Sequence, residues 1–327
     1  MTPLHFEELY QAEWQELEGL LDEVLNRKKK PGGAKVTLHG ERIAALYRRA
    51  CEHLALARAR SYPAYLQDRL DRLTSDAHQV IYQQREVGFA RLVNLVAREF
   101  PRAVRAHAGY VWTSAALLMV PTIIVGVLVY LRPELILSVV DAKTAAEFEQ
   151  MYSPAAESIG RARNADTDWV MFGFYISNNI RVAFQCFAGG LLAGVGSIFF
   201  LLFNGAYGGA IGGYLTERGL SSTFYSFIVT HSAFELTAIV LSGAAGLRLG
   251  HALLAPGRLG RLQSLVLAAR GCIVIVYGLT IMLLIAAAIE AFWSSARWMP
   301  TTVKYTVAAV CWLTVLAYLT FQGRRAS

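Results

Sequence analysis

The run AGYVWTSAALLMVPTIIVGVLVYL, residues 108–131, contains no charged side chain. About 20 apolar residues suffice to carry a helix across the ~30 Å hydrocarbon core of a bilayer. In that solvent every backbone N–H and C=O must find its partner inside the protein, which leaves helices as the economical solution for such a run. Further apolar stretches lie at about 174–215, 222–254, 271–293 and 303–321. The chain is therefore expected to be an all-α polytopic membrane protein. Only 17% of its residues are charged, against about 25% in ordinary soluble domains.

The charges are concentrated before the first span. Residues 1–106 hold 17 of the 31 Lys and Arg and 14 of the 24 Asp and Glu. This part reads as an N-terminal helical domain of cytoplasmic location, 1–106, ahead of a transmembrane domain, 107–327. Leu17, Leu20, Leu21 and Val24 recur at helical spacing, with acids on the opposite face. Pro31, Gly32 and Gly33 interrupt the pattern. Further helices are expected at about 39–60 and 65–100, the latter kinked or ended by Pro101. Charges of both signs alternate closely, and a net of +3 is too small for a nucleic-acid-binding patch, so none is expected. Residues 1–30 are too charged for a cleavable signal. The cysteines Cys51, Cys186, Cys272 and Cys311 show neither metal spacing nor a disulfide framework.

Arginine distribution orients the spans. Arg98, Arg102 and Arg105 precede the first span, and Arg248, Arg258, Arg261 and Arg270 mark a later loop. Cytoplasmic loops carry such an excess. The loop at 132–175 has 4 basic and 7 acidic residues and is expected outside. The region 174–215 would reach ~60 Å as one helix, twice the core thickness. A turn is expected at Asn204-Gly205, followed by a short, glycine-rich span. Six crossings with both termini cytoplasmic satisfy every charged loop. Five crossings with a re-entrant segment would put the arginine-rich loop outside. Glycines at 189, 190, 194 and 196, and at 243, 246 and 250, fit close helix packing better than a substrate cavity.

The segment THSAFELTAIV, residues 230–240, places His231 and Glu235 one helical turn apart in apolar surroundings. Arg181 and Glu290 are expected at similar depth. A lone charge at mid-membrane costs about 2.5–3.5 kcal/mol on insertion scales, so partners are needed. Arg181, Glu235 and Glu290 are expected to share a polar network, with His231, Asn178, Asn179 and Asn204 donating or accepting hydrogen bonds. The network either locks the bundle or lines a site. Zinc hydrolase chemistry is not expected: HExxH is absent and no second histidine stands near His231. No nucleotide-binding loop or nucleophile elbow is present. Neither metal ligands, a cofactor nor a catalytic residue is assigned.

Several stretches resemble the stage II sporulation protein M family, in its form outside spore formers. In the head these are EWQELEGLL, ALYRRACEHLALARARSYP and AHQVIY. Beyond it they are YISNNIRVAFQCFAGGLLAGVGSIFFLLFNGAYGGAIGG, HSAFELTAIVLSGAAGLRLGHALLAPG and IEAFWS. The resemblance implies an integral protein of the bacterial cytoplasmic (inner) membrane with no catalytic motif. The family's namesake gathers peptidoglycan-degrading partners during engulfment. The expectation is a scaffold in cell-envelope remodelling, bound to membrane lipids. A cytoplasmic protein partner would dock through 1–106 and an extracytoplasmic one through 132–175, with the chain a homo-oligomer, most simply a dimer. The alternative is a transporter, channel or lipid-moving protein with its polar site around His231 and Glu235.

Overall fold

The computed structural model describes residues 2–28, 40–82, 88–156, 159–160 and 168–324. Their regular structure is helical, with no strand among them. They form two compact units, Met1–Leu92 and Val93–Ser327.

The first unit contains α1 (Pro3–Lys28), α2 (Gly40–Ala59) and α3 (Ala64–Tyr82). Each is amphipathic, and the apolar stripes meet in one core that includes Phe6, Trp14, Leu17, Leu46, Leu66 and Leu70. The charged faces are laced together across helices. Arg42 grips Glu16 through two bonds of 2.6 and 2.7 Å, and Arg69 reaches both Glu18 and Glu7. One polar pair enters the core, where the Trp14 indole N–H donates to His53 Nδ1 at 3.1 Å.

The division between the units falls within α4 (Gly88–Asn94). Of the segment expected as one helix over 65–100, the described parts are helical, and residues 83–87 lie outside the described residues. A π-helical turn (Leu95–Glu99) leads into α5 (Phe100–Ala106). Pro101 lies just past this π-helical turn, inside a helical run that continues from Gly88 to Ala106, so it does not end the helix. A local π turn is one way a helix accommodates the missing N–H of a proline. The α5 segment belongs to the second unit: Arg105 donates to the carbonyls of Leu319 and Gln322 at 2.7 and 2.8 Å.

The second unit is built on α6 (Ala108–Leu131), α8 (Asp168–Ala188), α9 (Val195–Glu217), α10 (Ser221–Leu254), α11 (Arg261–Ile289) and α12 (Thr301–Phe321). Among the described residues, five helices are long and apolar enough to cross a membrane: α6, α9, α10, α12 and α11 extended to Ser294. The remaining member, α8, packs against α9, α10 and α11. The turn expected at Asn204-Gly205 is not there. Residues 195–217 form one continuous helix, and the chain reverses instead between α8 and α9, through a single 3-10 turn at Gly189–Leu191 and a left-handed Gly194. No short glycine-rich span follows, because those glycines serve a different purpose. Along α9, Gly205, Gly209 and Gly213 lie against backbone carbonyls of Leu118, Thr122 and Gly126 in α6, so close that no Cβ fits. Gly190 likewise meets Gly246 of α10. Close backbone approach is how helices associate in lipid, where burying apolar surface supplies little driving force.

At one end of the bundle Arg105 meets the end of α12 and Tyr110 meets His251 near the end of α10. At the other, α7 (Ala142–Tyr152) meets α9 and the start of α10, and Arg297, ahead of α12, reaches the segment that follows α7. Asp141 caps α7 by accepting from the Thr144 N–H at 2.7 Å, which holds its carboxyl below the usual range. Tyr214 donates to Glu149, and Thr223 donates to the Tyr152 carbonyl at 2.6 Å, fastening α7 to the bundle.

Candidate functional site

The polar residues of the bundle concentrate where α10, the end of α11 and the start of α12 converge. His231 and Glu235 lie on one face of α10, with His231 Nε2 3.8 Å from Glu235 Oε2. Glu290 reaches the same place by an irregularity in α11. The helix widens into a π-helical turn, Glu290–Ser294, whose first residue donates its N–H to the carbonyls of Ala286 and Ala287. Such turns insert an extra residue per turn and re-aim side chains, often at functional sites. One donor atom each from His231, Glu235 and Glu290 lies within 4.8 Å of the other two.

The same turn orients the imidazole. Ser294 Oγ lies 3.0 Å from His231 Nδ1, and the Phe227 ring meets the imidazole edge-on at 5.3 Å. His231 is 4% exposed. With Nδ1 engaged by Ser294, Nε2 points toward Glu235. The Ser294 carbonyl then accepts from Lys304 Nζ at 2.8 Å, and the Lys304 carbonyl accepts from Thr230 at 3.4 Å. A continuous polar chain thus runs from α10 through the π turn to α12. Lys304 is 1% exposed and has no place in the sequence reading. The signal was a single lysine opening the apolar stretch TTVKYTVAAVCWL. Ser294 was missed too, since nothing local links it to a histidine 63 positions earlier.

The other expected members lie elsewhere. Asn178 donates to Asn179 Oδ1 at 3.2 Å and accepts from Arg181 at 3.3 Å, a local chain on α8. Arg181 is exposed on the bundle's outer face, while Asn179 is 1% exposed. The Asn179 Nδ2 has no hydrogen-bond partner among the described residues. Asn204 donates to the Phe200 carbonyl of its own helix at 2.7 Å. The structure therefore brings together His231, Glu235 and Glu290, and joins Arg181 to Asn178 rather than to a carboxylate.

An imidazole and two carboxylates in this arrangement can exchange protons, bind a cation, or tie α10 to α11. A small apolar cavity of about 70 Å³ lies between α8, α10 and α11, lined by Ala183, Phe187, Ser242 and Leu279 among others. It carries almost no polar surface and is separate in its lining from the histidine cluster.

A family model described as stage II sporulation protein M matches residues 115–295, a span that takes in His231, Glu235 and Glu290. A second model, described as a domain of unknown function (DUF8413), matches residues 5–83 of the head. No curated protein and no solved structure shows a significant match to the chain.

Proposed function

The chain belongs to the stage II sporulation protein M family, and from that premise we propose that it acts as a membrane scaffold in cell-envelope remodelling. The observation that carries this reading is the separate construction of head and bundle. The head has its own three-helix core and a charged surface, while the bundle is interlocked through glycine–backbone contacts. A self-contained charged module on a rigid lipid-embedded base suits docking. The head takes a cytoplasmic protein partner, and the loop that includes α7 takes an extracytoplasmic one. The chain sits in the bacterial cytoplasmic membrane with both termini inside, because Arg98, Arg102, Arg105 and the arginines of the α10–α11 connection belong on the cytoplasmic side. It works as a homodimer, the commonest closed assembly, and no reaction is assigned to it. In-cell photocrosslinking from exposed positions Arg48 and Glu147 tests the reading. Specific partners trapped from both positions are expected, and failure to trap any partner from either position rejects it.

The buried cluster of His231, Glu235 and Glu290 favours a second reading, a transporter or lipid-moving protein. Ionisable groups inside a membrane commonly mark a pathway. Flux into proteoliposomes that drops in Glu235→Gln supports it; flux equal to that of empty liposomes removes it.

A further inference from the structure

His231 and Glu235 stand one helical turn apart on α10, and the sequence assigned no metal to them. The fold adds Glu290 from a different helix and brings the three donor atoms within 4.8 Å of one another. We propose that His231 Nε2 and the carboxylates of Glu235 and Glu290 bind a divalent first-row transition-metal ion, zinc being the best fit. This names the ligand class of the polar site in the second reading above, and it does not depend on docking through the head.

Three observations carry it. The first is charge. Carboxylate oxygens of Glu235 and Glu290 lie within 4.8 Å of each other, and two like charges at that distance make a favourable place for a divalent cation. The second is geometry. The 3.8 Å between His231 Nε2 and Glu235 Oε2 is too long for a hydrogen bond. Two donors each about 2 Å from one ion in a tetrahedral shell stand about 3.4 Å apart. The present spacing matches ligation after a contraction that side-chain rotation supplies. The third is the support behind the imidazole. Ser294 Oγ lies 3.0 Å from Nδ1, which fixes the ring orientation and turns Nε2 toward Glu235; with the Nδ1 proton donated to Ser294, Nε2 is the ligating nitrogen. Ligating histidines are typically held from behind in this way.

The donor chemistry selects the ion. One imidazole with two carboxylates suits zinc, iron or manganese better than calcium or magnesium, which take all-oxygen shells. Three protein donors are one short of a closed tetrahedron, which is the composition of sites that admit an exogenous ligand rather than purely structural ones. The π-helical turn gains a reason here. It is the device that brings Glu290, the residue opening the turn, and Ser294, the residue closing it, to the same imidazole.

The test uses the full-length chain in detergent or nanodiscs, stripped with a chelator and re-equilibrated with zinc, with bound metal measured by mass spectrometry. The native chain is expected to retain a single equivalent. His231→Gln, Glu235→Gln and Glu290→Gln are each expected to lower retention at least tenfold with unchanged helicity and elution. Ser294→Ala is expected to weaken affinity about tenfold, as losses behind a ligand typically do. Cobalt(II) loaded into the native chain provides a readout that needs no variant. Visible bands of a four- or five-coordinate ion without a thiolate charge-transfer band are expected. Zinc retention no greater than that of the Glu235→Gln/Glu290→Gln double variant overturns the proposal. So does a cobalt spectrum of the hexaaquo type, or one showing thiolate ligation. Zinc bound without any flux into liposomes removes the transport reading and leaves this one standing.

Discussion

Gly209 of α9 lies against the Thr122 peptide of α6 so closely that a Cβ there would stand 2.9 Å from the Thr122 carbonyl carbon and nearer still to its oxygen. One turn away on either side, Gly205 and Gly213 repeat the contact with Leu118 and Gly126. The α6–α9 pair is therefore joined backbone to backbone. Gly209→Ala must push the helices apart, and overpacking of this kind costs about 1–3 kcal/mol. Gly208, the preceding residue, faces open space. Gly208→Ala is expected to be neutral or slightly stabilising, since alanine favours a helix. Unfolding of the two variants in mixed micelles, followed by circular dichroism, measures the contrast.

Lys304 tests the polar chain from the side of α12. Its ammonium donates to the Ser294 carbonyl and is 1% exposed, whereas Lys143 on α7 has an 87% exposed side chain. An amine-reactive acetylating reagent applied to the folded protein in detergent is expected to modify Lys143 within the first time point and to leave Lys304 unmodified until denaturant is added. Peptide mass spectrometry gives both rates in one experiment. Lys304→Ala deprives a buried carbonyl of its donor, at a cost of about 1–3 kcal/mol.

These residues also indicate what a sequence does and does not carry. The span 108–131 was legible to the residue, because hydrocarbon imposes a length and excludes charge at both limits. The turn placed at Asn204-Gly205 was not. Asn-Gly is turn chemistry in water, but in α9 the glycine is required by the nearby Leu118 carbonyl. Glycine for a bend and glycine for close packing read identically until the neighbouring helix is known. His231, Glu235 and Glu290 were visible as ionisable residues in apolar runs. That Glu290 meets the other two, while Arg181 does not, is decided by the π-helical turn at Glu290–Ser294 and by the outward face of α8. Neither has a signature in residue order. The head needed only the 3.6-residue period to be recognised as helical, but its pairing of Trp14 with His53 depends on how α1 and α2 register.

Arg297 fastens the loop side of the bundle. Its guanidinium donates to the carbonyls of Ser153 and Pro154 at 3.2 and 2.8 Å, and to that of Ala156. One side chain thereby satisfies three carbonyls just after α7. Arg297→Ala is expected to raise amide exchange and protease cleavage across residues 150–156. The free energy of bundle unfolding should change by no more than about 0.5 kcal/mol, as for surface changes generally. Equal cleavage rates in the two proteins would show that the other fastenings, Thr223 to Tyr152 and Tyr214 to Glu149, hold the segment alone.

His53 gives the head a pH response with a defined sign. Indole N–H can only donate, so the 3.1 Å bond from Trp14 requires a lone pair on His53 Nδ1. A second proton on the ring would set two donors against each other. Burial pushes the His53 pKa down, and Arg49 adds to this, against the opposing pull of Glu13 and Glu52. The folded head therefore resists a proton that the unfolded chain accepts near pH 6.5. Below that pH the unfolded state binds more protons, so stability falls as the pH drops from about 6.5 toward the depressed folded value. The slope from this one group is at most about 1.4 kcal/mol per pH unit. His53→Gln keeps an acceptor for Trp14 and removes the titration. Amide exchange in α2 peptides at pH 7.5 and 5.5, corrected for the intrinsic exchange rate, is expected to show a loss of protection at the lower pH in the native protein that is reduced in His53→Gln. An undiminished loss in the variant would assign the response to the carboxylates that pair α1 with the arginines of α2 and α3.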